Sequence, residues 1–499
     1  MNRKSNHIAY STYLLLGVAA TALTAASAAA QTAPAPAPAT MGDEEDAGGE
    51  IVVTGYSRSL EDAIEIKRNT IGFSDSIVAT DIADFPEQNL SEALQRVPGV
   101  TIERDRGLGT RVNVRGLPSE FTFVSINKLA TASGSGGRDV EFDIFASELI
   151  QSVTVQKSPV AADEEGGIAG SVYIRTARPF DTPGLRLVGS VEGAYNSISE
   201  KVDPNFSFLA SNTFGDFGVL VSIATLQRDA GITFTDAMKN KIVFLDKVGD
   251  RVYQNDQDRL GLSGSVQYKP SDSFSLAFDA FVGSYDTVED EYDAAGYSAS
   301  SNSALETIHE FDATTLADSG IVVLRDVSYT NTQHEFLSKE YLNETDYKQF
   351  GGEMNWETGN WKINALGGYS GAKKTLDFAN LKHVAYAPSR TRYTATGGET
   401  IPSDDPATID MYNAPGSYLF EAYETTRERI HDDKYAAQAD VSRFFDGVLD
   451  RISAGLRYTH KTNERHYGEE RLQGPTRGST AWANVRTLGD NPLQLIPFF

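Results

Sequence analysis

Apolar and polar residues alternate with period two along much of the second half of this chain. In "SFSLAFDAFV" (273–282), Phe274, Leu276, Phe278, Ala280 and Val282 share one face, while Ser275, Ala277, Asp279 and Phe281 share the other. That is the side-chain period of a strand. The same dyad runs through "LRLVGSVEGAY" (185–195), "FGVLVSIATLQ" (217–227), "WKINALGGYSG" (361–371) and "RISAGLRYTH" (451–460), with Lys362, Asn364, Arg451, Ser453 and Arg457 on the polar side. The pattern predicts roughly nine strands of about ten residues, long enough to cross a bilayer when tilted. A β-sandwich also alternates, so the connections decide. Tight turns at Gly215-Asp216, Pro270-Ser271-Asp272, "ETGN" (357–360) and "FDGVLD" (445–450) alternate with long segments at 228–258, 285–344 and 372–432. Short turns on one side and long loops on the other are the asymmetry of a transmembrane β-barrel. Trp356 and Trp361 bracket one short turn, where aromatic rings anchor at a lipid–water boundary.

The first half reads differently. Arg3 and Lys4, the apolar run Tyr13 to Leu23 and Ala28-Ala29-Ala30 form a cleavable export signal over 1–30. Residues 31–49 alternate Ala with Pro34, Pro36 and Pro38 and then turn acidic, which predicts a disordered, semi-stiff tether. A short β-prone stretch, "EIVVTG" (50–55), follows it. Residues 56–181 read as a mixed α/β domain. In "DFPEQNLSEALQRVPGV", Asp84 is placed to cap a helix with Glu87 three residues on, Leu90, Leu94 and Val97 share a face, and Pro98-Gly99 ends it. Strands are expected at 100–104, 111–116, 123–127, 152–157 and 170–176, with a helical turn at 145–150.

Charge and composition narrow the function. Removing residues 1–30 deletes two basic residues and no acidic one, taking the formal charge from −25 to −27. This argues against a nucleic-acid partner, which wants a basic face. With no cysteine, neither disulfides nor thiolate metal sites are available. "SGSGG" (133–137) lacks the Lys-Ser/Thr of a phosphate loop and reads as a mobile loop. The seven histidines show no metal-ligand spacing. No nucleophile–base set is evident, so neither catalysis, a metal site nor a cofactor is expected.

The ordered set of "EIVVTG", "NLSEALQRVPGV", "RVNVRGLPSEFTFVSIN", "ELIQSVTVQKSPVAADEEGGIAGSVYIRTARPFD" and the alternating strands resembles the TonB-dependent outer-membrane receptors. The resemblance is close over 50–181 and continues as barrel character. It implies a mixed α/β plug domain followed by an antiparallel transmembrane β-barrel, here roughly nine or ten strands of the ~22 typical of such transporters. It further implies energised import of a ferric siderophore or saccharide across the bacterial outer membrane, with the inner-membrane protein TonB, outer-membrane lipid and a small nutrient ligand as partners. Residues Glu50, Ile51, Val52, Val53, Thr54 and Gly55 would be the TonB box, adding an extended strand to TonB through backbone hydrogen bonds. Arg115, Gly116, Gly166, Gly167, Gly170 and Arg175 match recurrent plug strands and turns, and Arg115 is expected to pair with the barrel wall. Arg104, Arg106, Lys128 and Arg138 are candidates for substrate-facing plug loops. A passive or signalling barrel with a structural plug is the alternative, and a secreted β-rich protein is a third class. Nine strands leave the chain on the outer side, and a closed bacterial barrel needs an even count, so residues 182–499 are expected to be the N-terminal part of the barrel.

Overall fold

Two sheets account for most of the regular structure among the described residues. The computed structural model describes residues 54–79, 89–239, 245–297, 304–312, 323–394, 397–402, 410 and 414–474, all in one compact unit starting at Val53.

The N-terminal domain opens with helix α1 (Thr54–Asn69), which the sequence pattern did not announce, and strand β1 (Ser74–Val78). Helix α2 (Leu90–Leu94), strands β2 (Val100–Asp105) and β3 (Leu108–Val114), then β4 (Thr122–Ile126), β5 (Leu129–Ala130), β6 (Ile150–Gln156) and β7 (Gly170–Thr176) follow. Five of them form a sheet in the order β1-β6-β7-β4-β5, with β4 and β7 parallel, and β2–β3 is a separate hairpin. The cap of α2 is Asn89, whose side chain accepts from the Ser91 amide. Asp84, the expected cap, lies outside the described residues. Leu90, Leu94 and Val97 are buried as their spacing predicts, and Gly99 takes a positive φ of 76° on leaving the helix.

The second sheet is a meander. Strands β8 (Arg186–Asn196), β9 (Lys201–Phe214), β10 (Phe217–Lys239), β11 (Leu245–Ser271) and β12 (Phe274–Tyr297) are followed by β13 (Ala304–Asp312), β14 (Val323–Thr358) and β15 (Trp361–Thr394). Strands β16 (Gly397–Pro402), β17 (Leu419–Phe444) and β18 (Arg451–Gln473) complete it. Nine strands run β8-β9-β10-β11-β12-β14-β15-β17-β18, while β13 adds to β14 and β16 to β15. The short turns fall where the sequence put them. The long segments do not remain loops: 228–258, 285–344 and 372–432 are largely strand, and β14 reaches 36 residues against the expected ten. The reason is solvent. Outward positions are apolar from Phe274 to Val282 and then become Ser284, Asp286 and Asp290, so hydrophobic alternation fades although pairing to β14 continues to Gly296.

The face of this sheet that meets the N-terminal domain is set by Phe281, which is buried against Phe145. The opposite face carries Phe278, Val221, Phe350, Trp356 and Trp361, all exposed. From Phe274 to Val282 this apolar band runs about 27 Å along the strand at ~3.4 Å per residue, in keeping with a tilted membrane strand and its ~25 Å apolar band.

Candidate functional site

The N-terminal domain is lodged against the inner face of the second sheet, and its seat is the site. Within the N-terminal domain, the lead-in is held by one carboxylate. Asp75 on β1 accepts from Lys157 at 2.6 Å and from Lys67 of α1 at 2.7 Å. The Lys157 ammonium is buried, also bonds the Pro98 carbonyl at 2.6 Å, and lies 5.1 Å from the Phe73 ring centre. Burial raises the Asp75 carboxyl, but the two lysines outweigh it and hold it below the ordinary carboxylate value.

The seat itself is built from close approach and aromatic packing. Gly351 on β14 and Gly368 on β15 open a window in the wall that receives Leu129; a Cβ on either would stand 2.4 Å from Leu129 Cδ1. Phe145 packs edge-on against Phe281 at 5.9 Å and Tyr347 at 5.3 Å. Backbone groups are met by wall side chains. The Ala132 amide donates to Ser370 Oγ at 2.8 Å, the Ser133 amide to buried Asp432 at 2.9 Å, and Gln349 donates to the Ile126 carbonyl at 2.7 Å. Segment 133–139 is thus docked and internally bonded, with the Ser135 hydroxyl donating to Asp139 at 2.9 Å, rather than the mobile loop its glycines implied.

Charged groups complete the interface. Arg178 is shared between Asp279 at 2.6 Å and Glu353 at 2.8 Å. Lys374 donates to Glu141 at 2.9 Å, and Arg111 bonds Asp139 and Glu141. Burial pushes the neighbouring Asp143 carboxyl up to about 7, and Glu141 adds repulsion. At the far end from the short turns, the left-handed Arg106 (φ 48°) makes two 2.6 Å bonds to Glu289 and stacks 4.6 Å from the Tyr253 ring centre. This bidentate bond, against the cost of burial, holds Arg106 above its usual value.

Among the residues singled out from sequence, Arg106 alone joins the wall near this apex. Arg104 bonds Glu92 and Gln95 within the plug's own surface. Lys128 pairs with Glu353, five residues from the short turn that follows β14. Arg138 is exposed. Arg115 is exposed and pairs with no wall side chain among the described residues; with Gly116 it makes a left-handed turn (φ 55° and 74°) closed by the Leu117 amide on Val114. Gly166 and Gly167 stand in the turn before β7, Gly170 opens that strand, and Arg175 pairs with Asp181. Thr54 and Gly55 open α1, whereas Glu50, Ile51, Val52 and Val53 lie outside the described residues. The wall glycines and the Arg178 triad had not been singled out; a glycine within an alternating strand is the signal that marks such close approach.

Residues 66–172 match the family model for the TonB-dependent Receptor Plug Domain. The chain carries a TonB-dependent receptor plug domain. No curated protein matches it. Among solved structures it is similar to the ferric citrate transporter FecA in the unliganded form (12% identity, 81% of this chain and 75% of that one, TM-score 0.31). It is also similar to the siderophore receptor PiuA from Acinetobacter baumannii (14%, 82% and 63%, TM-score 0.29) and to a ferric enterobactin receptor (PfeA) mutant from Pseudomonas aeruginosa (11%, 81% and 72%, TM-score 0.35). The chain spans less than two thirds of the PiuA chain. Among the described residues, no helix is long and apolar enough to cross a membrane, which says nothing of strands, and no group of three or more metal-ligating side chains is placed to hold an ion.

Proposed function

We propose that this receptor imports a scarce nutrient, a ferric siderophore or a saccharide, across the bacterial outer membrane, driven by TonB through residues 50–55. The observation that carries the reading is the seat: a plug domain held against the inner wall by hydrogen bonds and ion pairs as well as apolar contacts. Such polar contacts exchange readily with water, which favours a plug that rearranges under load over one fixed for good. The tether of 31–49 gives the β-prone segment reach into the periplasm. At a net ~1 kcal/mol per backbone hydrogen bond, a short added strand gives a reversible grip. The outward apolar band, bordered by Trp356 and Trp361, supports residence in the outer-membrane lipid. The receptor exports no chemistry of its own in this reading; its work is binding and release. In-frame deletion of Glu50–Gly55 tests it. Uptake should be lost at unchanged protein level in the outer membrane, and uptake that persists would favour a passive barrel.

A further inference from the structure

Strand register places a continuous inner wall beside the plug apex. Glu289 on β12, reached by Arg106, stands opposite Tyr341 on β14, and Tyr341 stands opposite Phe378 on β15. One step along on the same face come Lys339 and Asn380, and one step back comes Asn343.

Two properties of this wall restrict its ligand. The first is charge. An anionic ligand needs uncommitted cations, and the three cations here are committed. Arg106 is held by Glu289, Arg251 by Asp293 at 3.1 Å, and Lys339 by Glu291 at 2.8 Å. Three carboxylates balance three cations, so no net positive field faces the lumen from this cluster. The second is the kind of group left over. Tyr341 and Phe378 form a partly exposed aromatic pair with centroids 4.7 Å apart. The side-chain carbonyl oxygens of Asn343 and Asn380 are buried and accept no hydrogen bond from the described residues. Buried acceptors of this kind call for donors. An apolar ring face flanked by amide acceptors matches a molecule with C–H faces and hydroxyl edges.

Resting on the import reading above, we propose that this wall is a ligand-binding surface and that its ligand is a neutral polyhydroxylated molecule, an oligosaccharide in chemical class. The sugar faces stack on Tyr341 and Phe378, with the partly exposed amide side chains of Asn343 and Asn380 at their edges. A ferric siderophore complex bearing net negative charge would have to break the Arg106–Glu289 or Lys339–Glu291 pair to gain a cation, and is disfavoured.

The test is equilibrium binding by calorimetry on the full chain in detergent, with folding checked by resistance to unheated dodecyl sulfate. The probes are maltohexaose, cellohexaose and xylohexaose against ferric citrate and a ferric catecholate, at about 50 and about 500 mM salt, a range over which surface electrostatics are screened. At least one neutral saccharide should bind saturably with little change in affinity across that range. Tyr341→Ala and Phe378→Ala should each weaken it by about tenfold, whereas the outward-facing Val288→Ala should not. Folded protein that binds no saccharide, or that binds only the ferric anions with salt-weakened affinity, overturns the proposal. The import reading fails separately: a saccharide that binds but enters cells regardless of the Glu50–Gly55 deletion keeps the ligand class and removes the energised transport, while box-dependent entry of a ferric siderophore does the reverse.

Discussion

The window formed by Gly351 and Gly368 gives the sharpest test of how the plug is seated. Leu129 is 3% exposed, and truncating such a side chain to Ala costs about 2–5 kcal/mol, part of it for the cavity left behind. In Gly351→Ala, the new Cβ would stand 2.4 Å from Leu129 Cδ1 and meets nothing else closer than 3.6 Å. The expected cost is that of overpacking, about 1–3 kcal/mol. Combining the two relieves the clash, and the added methyl, on the order of 25 Å³, fills part of the cavity for a further ~0.6 kcal/mol at about 24 cal/mol per Å³. The double variant should therefore be more stable than the sum of the singles predicts by about 1.5–3.5 kcal/mol, a coupling expected only of side chains in contact. Gly368→Ala is the control. Its Cβ would also stand 2.4 Å from the Phe350 carbonyl and 2.9 Å from Gly351 Cα, contacts that Leu129→Ala does not relieve. Because the chain has no cysteine, one placed at buried Ser125 reports plug release: its maleimide labelling is followed against urea in detergent. Additive effects within about 0.5 kcal/mol for Gly351 and Leu129, or equal rescue of Gly351→Ala and Gly368→Ala, would refute this seating.

Three further outcomes are expected. Arg178→Ala strands the mostly buried Asp279 carboxylate and leaves Glu353 with Lys128 as its cation, and should cost about 3–5 kcal/mol in the same urea assay. Asn89→Ala removes the cap of α2 and should cost about 0.5–2 kcal/mol. For Asp143, the carboxyl is raised to about 7 in the folded protein, so the unfolded chain gives up its proton first. Stability should fall by up to ~1.4 kcal/mol per pH unit between about 3.9 and about 7, then level off. Asp143→Asn should lack that fall, and urea midpoints of the two proteins at acid and alkaline pH would show whether they diverge as pH rises.

What was legible in the sequence follows from what sets each feature locally. An apolar outward face and an inner face that meets the N-terminal domain impose period two, so the strands and the short turns between them could be read directly. Beyond the apolar band the outward positions turn polar; β12 continues through Asp286 and Asp290 and β14 through Glu344 and Asp346 with no apolar alternation, and those stretches read as loops. Helix α1 was missed because no side chain described in it is fully buried, leaving only a weak stripe of Leu60, Ile64 and Ile66. In α2, Asn89 takes the cap position five residues after the more obvious Asp84, its amide anchored by the Gly109 carbonyl. The apex contact is different again. Arg106 and Glu289 are 183 residues apart, and only the fold joins them. Arg115 looked like an ion-pair partner because charge is conspicuous in a sequence, whereas the left-handed turn that uses it is a backbone property.

The most direct test of energised import is disulfide trapping at the box. Val52→Cys, in this otherwise cysteine-free chain, is expressed with a TonB bearing one cysteine in the edge strand of its periplasmic domain. A covalent adduct at Val52, absent from a control cysteine at the outward-facing Lys348 and increased by added ligand, is the predicted result. No adduct at Val52, or equal adducts at both positions, would contradict the account.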